Sequence, residues 1–190
     1  MKRLRVAVKE RKSGEWKDEL LSRVRAFIQQ LSTDHSFQHQ SAVCSPRRIH
    51  LAVFDEPYLT LILERRKTLE SRFSVHRCAP YNEVAAGDIV LLKRPAGPIM
   101  GIALIREATN LRINSAQDLE EIARRYGGAL CVTDPNFWKQ KQHAAFCTLM
   151  ELGAIERIEL PNVGKRDRTG WVVLEREQMK LFPPERAAWA

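Results

Sequence analysis

Short strand-like segments that do not alternate with helices are the feature that most constrains the fold of this chain. Six runs have the alternating or β-branched pattern of strands. They are RRIHLAVF, TLESRFSVH, DIVLLK, PIMGIALIREAT, AFCTLMELGAIERIEL and WVVLE. The chain has no βαβ rhythm and neither of the glycine-rich loops typical of Rossmann and P-loop folds. We therefore predict an α+β fold, a small mixed β-barrel of five to six strands with flanking helices.

A change of pattern near residue 47 divides the chain. Residues 15–31 carry apolar side chains at helical spacing, which predicts one amphipathic face. That face consists of Trp16, Leu20, Val24, Phe27 and Leu31. We predict a basic extension with this helix and a linker over 1–46, a barrel domain over 47–178 and a tail over 179–190. The helix either packs on the barrel or docks a partner, and packing is favoured because an isolated helix of this length is marginal.

Positive charge is concentrated near the start of the chain. The 190 residues carry a net charge of +8, and residues 1–50 alone hold eleven Lys and Arg against five Asp and Glu. A basic arm favours anionic partners such as nucleic acid, although many domains of similar charge bind none. No segment has the pattern of a secretory signal or a membrane span. We expect a cytoplasmic protein with no membrane association.

The four cysteines are widely spaced and form no C-x-x-C pair. A zinc site is therefore not predicted, and no other metal site is predicted either. In a reducing compartment such cysteines usually behave as small buried hydrophobic residues. We expect that behaviour here.

The stretch LERRKTLESR contains four cations and two carboxylates in residues 63–72. Pro57 can open a short helix before it, and a strand follows. Alternation along that strand predicts a core face and an opposite polar face. The predicted core face is Leu69, Ser71, Phe73 and Val75, and the polar face is Thr68, Glu70, Arg72, Ser74 and His76. The simplest alternative is an exposed charged strand face, whose ion pairs contribute little to stability.

Lys67 precedes this polar face, at the junction between helix and strand. Lys67 and Arg72 can hold a phosphate or the oxygen edge of a base, while Glu70 can accept from an exocyclic amine. An ion pair with Glu70 would keep Lys67 charged, which favours binding over a role as a neutral base. Thr68 shares the predicted face, and Tyr58 can stack on a base or belong to the core.

Further basic residues are candidates for phosphate contacts. They are Lys93 and Arg94 at the end of a strand, and Lys165, Arg166 and Arg168 in a loop. An ordinary solvated loop is the alternative for the second group. Farther along, SAQDLEEIARRY predicts a helix capped by Ser115, and DPNFWKQKQ reads as a turn in which Trp138 stacks on a ligand or caps a small core.

The K-x-x-E-x-R spacing of Lys67, Glu70 and Arg72 resembles the motif of the ASCH domain, a branch of the PUA-like superfamily. The segments EPYLTLILERR, GDIVLLKR and KRDRTGWVVL resemble other parts of that family, so the resemblance covers about residues 47–176. Arg65 stands where the family pattern has glycine. A left-handed helix cap at a non-glycine residue costs about 1 kcal/mol. We therefore expect either that strained cap or a helix that continues for another turn.

The resemblance implies a PUA-like barrel with a cleft beside the motif. It also implies a module that binds RNA, another single-stranded nucleic acid or a modified nucleotide, with a role in RNA metabolism or in regulating transcription or translation. No cofactor is expected. The oligomeric state is not predicted.

An enzyme acting on nucleic acid or a modified nucleoside is the alternative, with Lys67 and Glu70 as candidate catalytic residues. A ribonuclease would need a divalent metal, and no second acidic ligand follows Glu70 closely. An acylcytidine amidohydrolase of this family would have threonine at the position of Glu70. Here the nearest threonine, Thr68, lies two residues earlier, which disfavours that activity.

Overall fold

The helices and strands lie where the sequence pattern predicts them, with one short helix in addition. The computed structural model describes residues 15–31, 48–160 and 169–174. The helices are α1 (Glu15–Leu31), α2 (Tyr58–Leu63), α3 (Ala116–Tyr126) and α4 (Phe137–Gln140). The strands are β1 (Ile49–Val53), β2 (Leu69–Ser74), β3 (Ile89–Lys93), β4 (Ile99–Arg112), β5 (Phe146–Leu160) and β6 (Trp171–Val173). The additional helix α4 lies within the stretch predicted to be a turn.

The six strands form one mixed sheet in the order β2-β5-β4-β3-β1-β6. All neighbouring strands are antiparallel except β1 and β3, which pair in parallel from Ile49 beside Ile89 to Val53 beside Lys93. The whole β2 segment lies between these two strands in sequence, yet β2 is placed at the opposite edge of the sheet. In the sheet order, the polar strand β2 is therefore four positions away from β1.

The sheet curls until strands that are distant in its order come together. Arg72 on β2 donates a hydrogen bond of 2.9 Å to the Val53 carbonyl on β1. In a flat sheet those strands would stand about 19 Å apart, since each strand adds about 4.8 Å. The sheet is therefore a half-barrel, and the predicted small α+β barrel is confirmed.

Helix α1 packs on the outside of this half-barrel. Its buried side chains Trp16, Leu20, Leu21 and Val24 join a cluster that includes Ile49 and Leu104. The prediction that this helix packs on the barrel is therefore confirmed for those residues. The predicted linker of residues 32–46 and the tail of residues 179–190 lie outside the described residues. Among the described residues, no helix is both long and apolar enough to span a membrane.

The prediction of which face of β2 lies in the core was wrong, because the side chains of the predicted polar face point inward. Glu70 and Arg72 point into the curled sheet, and Glu70 pairs across the ladder with the fully buried Met150. Leu69 and Phe73 lie on the outer face, where α3 and the segment before β5 cover them. Both faces of β2 are thus covered, so alternation alone could not identify the interior. Val75, the last residue of the predicted core face, is 55% exposed.

The expectation that the cysteines are buried holds only in part. Cys147 is fully buried on β5, whereas Cys131 is half-buried and Cys78 is exposed. Cys78 and Cys131 lie in the loops that follow β2 and α3. Cys44 lies outside the described residues.

Candidate functional site

A left-handed turn after α2 sets the direction of the polar segment. The helix ends at Leu63, and Arg65 adopts φ 59°, while its amide donates to the Ile62 carbonyl at 2.8 Å. Of the two alternatives for Arg65, the strained cap is therefore the one adopted. The Arg65 guanidinium donates to the Ile155 carbonyl at 2.8 Å, which helps to hold this conformation. The chain then turns inward at Lys67.

The Lys67 ammonium group is buried among three acceptors. Its Nζ donates to the carbonyls of Leu69 (2.5 Å) and Leu130 (2.9 Å) and lies 3.4 Å from a Glu70 oxygen. The three acceptors match the three protons of an ammonium. Burial lowers the pKa of Lys67 from its ordinary value of 10.5, and Glu70 offsets part of that effect. The pKa of Lys67 is therefore lowered overall, whereas the ion pair alone would raise it.

Glu70 lies between the two cations of the motif. Its other oxygen lies 2.9 Å from Arg72 Nε, but this N–H makes no hydrogen bond, so the contact is a charge pair without hydrogen-bond alignment. The Arg72 guanidinium also lies over the rings of Phe54 (4.7 Å) and Trp171 (5.4 Å). The predicted convergence of Lys67, Glu70 and Arg72 is thus what the structure has.

These three residues form the floor of a cleft of about 440 Å³ on the open side of the half-barrel. This size is within the usual range of small-molecule sites. The aromatic side chains of Tyr58 and Phe137 line the cleft, with ring centroids 6.5 Å apart, and Lys67 Nζ lies 5.6 Å from the Tyr58 centroid. Burial raises the pKa of Tyr58, and Asp134 acts in the same direction. The Tyr58 hydroxyl therefore stays protonated at neutral pH.

Charges around the cleft nearly cancel. Four carboxylates line it, against three cations. The carboxylates are those of Asp55, Glu56, Glu70 and Asp134, and the cations are Lys67, Arg72 and Lys141. Hydrogen bonding and stacking, rather than net positive charge, are therefore what this cleft offers a ligand.

The open edge of β2 contributes backbone groups to the same cleft. The Leu152 amide donates to the Thr68 carbonyl. In an antiparallel pair, Thr68 and every second residue after it therefore direct their backbone N–H and C=O groups towards β5. Ser71 and Phe73 occur between them, and their N–H and C=O groups therefore face away from β5. Both residues line the cleft. Such an edge presents a donor and an acceptor at fixed spacing.

Other predicted site residues lie in different places. Thr68 is exposed and is not among the cleft-lining residues. Lys93 is buried, and its Nζ donates to the carbonyls of Arg94 and Gly97, so Lys93 is not on the rim. Arg94 lies near the cleft, where it pairs with Glu56 at 3.1 Å. The predicted phosphate contacts Lys165, Arg166 and Arg168 lie outside the described residues.

The cleft has a wall, formed by α4 and the loop before it, that was not predicted from the sequence. Phe137, Gln140 and Lys141 all line the cleft, and Phe137 contacts Phe73 and Trp138 with perpendicular rings. The adjacent aromatic residues in DPNFWKQKQ were the available signal. Trp138 itself packs in the outer cluster, so of its two predicted roles the core role is the one seen.

A buried polar triad fixes the strands beside the cleft. The fully buried His50 shares a 3.0 Å hydrogen bond with Asp88, and the Trp171 indole donates to His50 Nδ1 at 3.2 Å. Since Nδ1 accepts, Nε2 is the nitrogen that donates to Asp88. The triad joins β1, the start of β3 and β6, and so holds Trp171 against Arg72. Among the described residues, no three His, Cys, Asp or Glu side chains are placed together to hold a metal ion.

Comparison with solved structures identifies the fold. The crystal structure of ASCH from Zymomonas mobilis gives a TM-score of 0.52 at 14% identity, covering 70% of this chain and 92% of that chain. Structures of two point mutants of that protein give TM-scores of 0.53 and 0.52 at 13% and 15% identity, covering 70% and 68% of this chain and 92% of each mutant. No family model and no curated protein matches the sequence. The predicted resemblance to ASCH domains is thus confirmed as a shared fold.

Proposed function

We propose that this protein binds single-stranded RNA, or a nucleotide, by placing a base in the cleft above Lys67, Glu70 and Arg72. The observation that carries the proposal is an aromatic-walled cleft whose floor presents a carboxylate between two cations. Aromatic rings of this kind stack on the faces of unpaired bases. In the cell, such binding would serve RNA metabolism or the regulation of transcription or translation.

The near balance of charge in the cleft supports base recognition over capture of a bare phosphate. A Glu70 oxygen that contacts a cation retains lone pairs and can accept from an exocyclic amine, as carboxylates do with cytosine. The backbone edge at Ser71 adds one donor and one acceptor. The site therefore suits a base with an amino group, such as cytosine, adenine or guanine.

Burial lowers the pKa of Lys67, which by itself would suit a base, but the contacts of its ammonium group favour the charged form. A general base must first lose its proton, but three acceptors surround the Lys67 ammonium. Thr68 is exposed and cannot stand in for a threonine at the position of Glu70. Binding without turnover is therefore the function that this geometry favours.

The experiment is fluorescence anisotropy with labelled eight-nucleotide single-stranded RNA and DNA at low salt. Glu70→Gln makes the protein more positive, so general charge attraction predicts tighter RNA binding. The proposal predicts about tenfold weaker binding, because a carboxylate acceptor for the base is lost. Glu151→Gln is the matched control: it removes a carboxylate that is paired with Arg106 on the outer face of β5, away from the cleft.

Tyr58→Ala provides a second variant that leaves the charges unchanged. Loss of the stacking ring should weaken RNA binding by about tenfold or more. RNA that fails to bind even at low salt, or that binds Glu70→Gln and Tyr58→Ala as well as it binds the wild type, would overturn the proposal.

A further inference from the structure

A second, smaller pocket lies on the other side of Arg72 from the cleft. It has a volume of about 170 Å³, and Arg72 and Phe73 line both cavities. Its remaining walls come from the end of β2, the loop after it, Thr148 on β5 and the start of β6. Those wall residues are Ser74, Cys78, Ala79, Pro80, Tyr81, Thr148, Gly170 and Trp171.

The small pocket differs from the cleft in charge. Arg72 is its one lining cation among the described residues, and no carboxylate lines it. Arg77 adds a second positive charge nearby, since its guanidinium lies 5.6 Å from the Tyr81 ring centroid. Arg72 Nη1 points towards this side, because a Cβ added to Gly170 would stand 3.4 Å from it. The small pocket therefore favours an anion more strongly than the cleft does.

The volume of the small pocket and its place beside the cleft indicate that the two cavities belong to one larger site. Its volume is below the usual range of about 300–1,000 Å³ for a site that holds a whole small molecule. A ligand whose base is in the cleft would extend its sugar and phosphate past Arg72. Because Arg72 Nη2 donates to the Val53 carbonyl and Nε faces Glu70, Nη1 is the group of this arginine that is placed to donate to a phosphate oxygen in the small pocket.

We infer that the small pocket is a phosphate subsite for the nucleotide whose base lies in the cleft. The inference rests on the proposed function and deepens it. It assigns base recognition and phosphate recognition to opposite sides of Arg72. Nucleosides should therefore bind more weakly than their monophosphates, by about tenfold, which is typical of gaining one charge-assisted contact.

The first experiment measures chemical-shift titrations with cytidine, adenosine and guanosine, with their 5′- and 3′-monophosphates, and with inorganic phosphate. At least one monophosphate should bind about tenfold more tightly than its nucleoside. Inorganic phosphate alone should bind more weakly than that monophosphate. Equal affinity of nucleosides and monophosphates would overturn the subsite and leave the base site standing. No binding of any nucleoside or nucleotide would count against both proposals.

The second experiment places a charge in the small pocket by labelling the exposed Cys78. Methanethiosulfonate reagents attach either an aminoethyl or a sulfonatoethyl group of similar length. Cys44→Ser and Cys131→Ser remove the competing thiols, and Cys147 is protected because burial raises its pKa to about 12. The anionic label should reduce monophosphate affinity to that of the nucleoside, while the cationic label preserves or increases it. Neither label should change nucleoside affinity by more than about twofold.

Two controls separate a local effect from general electrostatics and from misfolding. The same labels at Glu120→Cys, on an exposed position of α3 and with Cys78 also replaced by serine, should leave the monophosphate preference intact. Gly170→Val tests the pocket without any label, since its side chain would occupy space beside Arg72 Nη1. It should abolish the preference for monophosphate while nucleoside binding persists. A preference that survives both the anionic label at Cys78 and Gly170→Val would overturn the inference.

Discussion

The buried ion pair of Lys67 and Glu70 should contribute measurably to the free energy of unfolding. The two groups are 3.4 Å apart, and their side chains are only 3% and 9% exposed. At an effective dielectric constant of about 20, two unit charges at that distance attract by about 5 kcal/mol, but desolvation opposes this gain. Removing one partner leaves the other buried and underpaired, which usually costs about 3–5 kcal/mol. The loss of unfolding free energy in the double variant should therefore be smaller than the sum of the losses in the two single variants.

The test is a double-mutant cycle of Lys67→Met and Glu70→Gln. Glu70→Gln should lower the free energy of unfolding by about 3 kcal/mol, because Lys67 then keeps only its two carbonyl acceptors. Lys67→Met should cost about 2 kcal/mol, because the Leu69 and Leu130 carbonyls lose this donor while Glu70 keeps Arg72 at 2.9 Å. The double variant should cost no more than the worse single variant, which gives a coupling energy of about 2 kcal/mol.

Urea unfolding followed by tryptophan fluorescence measures all four proteins. With an m-value of about 2 kcal/mol/M, the coupling corresponds to a midpoint difference of about 1 M. Far-UV circular dichroism checks that each variant is folded before denaturant is added. Effects of the two substitutions that add to within about 0.5 kcal/mol would mean that the two charges do not stabilise each other.

Four further outcomes follow from other contacts. Arg65→Gly should have a free energy of unfolding about 1 kcal/mol higher than that of Arg65→Ala, as measured by urea unfolding, because glycine is unstrained at φ 59°. Burial lowers the folded-state pKa of Lys67, so the unfolded chain binds more protons between that pKa and the ordinary 10.5. The unfolding free energy of the wild type relative to Lys67→Met should therefore rise with pH in that window, as measured by urea unfolding at several pH values. Asp88→Asn should cost about 3 kcal/mol in the same unfolding assay, because the carboxylate accepts from His50 and from two backbone amides. Tyr58→Phe should keep RNA affinity within about twofold in the anisotropy assay, since it retains the stacking ring.

Local pattern was enough to predict most of the secondary structure. Helix α1 was predicted from its apolar spacing, and the cap of α3 from Ser115, whose hydroxyl accepts from the Asp118 amide. The strands were predicted because each has an alternating or β-branched run between turn signals. The motif order also placed Lys67, Glu70 and Arg72 at one site.

The sheet order and the interior face of β2 could not be predicted in this way. The parallel pairing of β1 with β3 depends on contacts between distant residues, such as the Arg48 amide that donates to Asp88. The interior of β2 depends on which face the other elements cover, and here both faces are covered. Phe137 was missed for the same reason, because its place in the cleft comes from how α4 packs against β2.

The pKa of Lys67 also depends on the folded environment. Its spacing from Glu70 predicts an ion pair, which the structure contains. The sequence does not predict how deeply Lys67 is buried, and burial has the larger effect on its pKa.

Chemical-shift mapping can show whether a base occupies the cleft between Tyr58 and the edge of β2. The ¹⁵N-labelled full chain is titrated with a short single-stranded RNA of mixed sequence. The largest amide changes should occur at Ser71 and Phe73, with further changes at Tyr58 and Phe137. No change at these residues, or changes confined to surfaces distant from them, would mean that the base does not bind in this cleft.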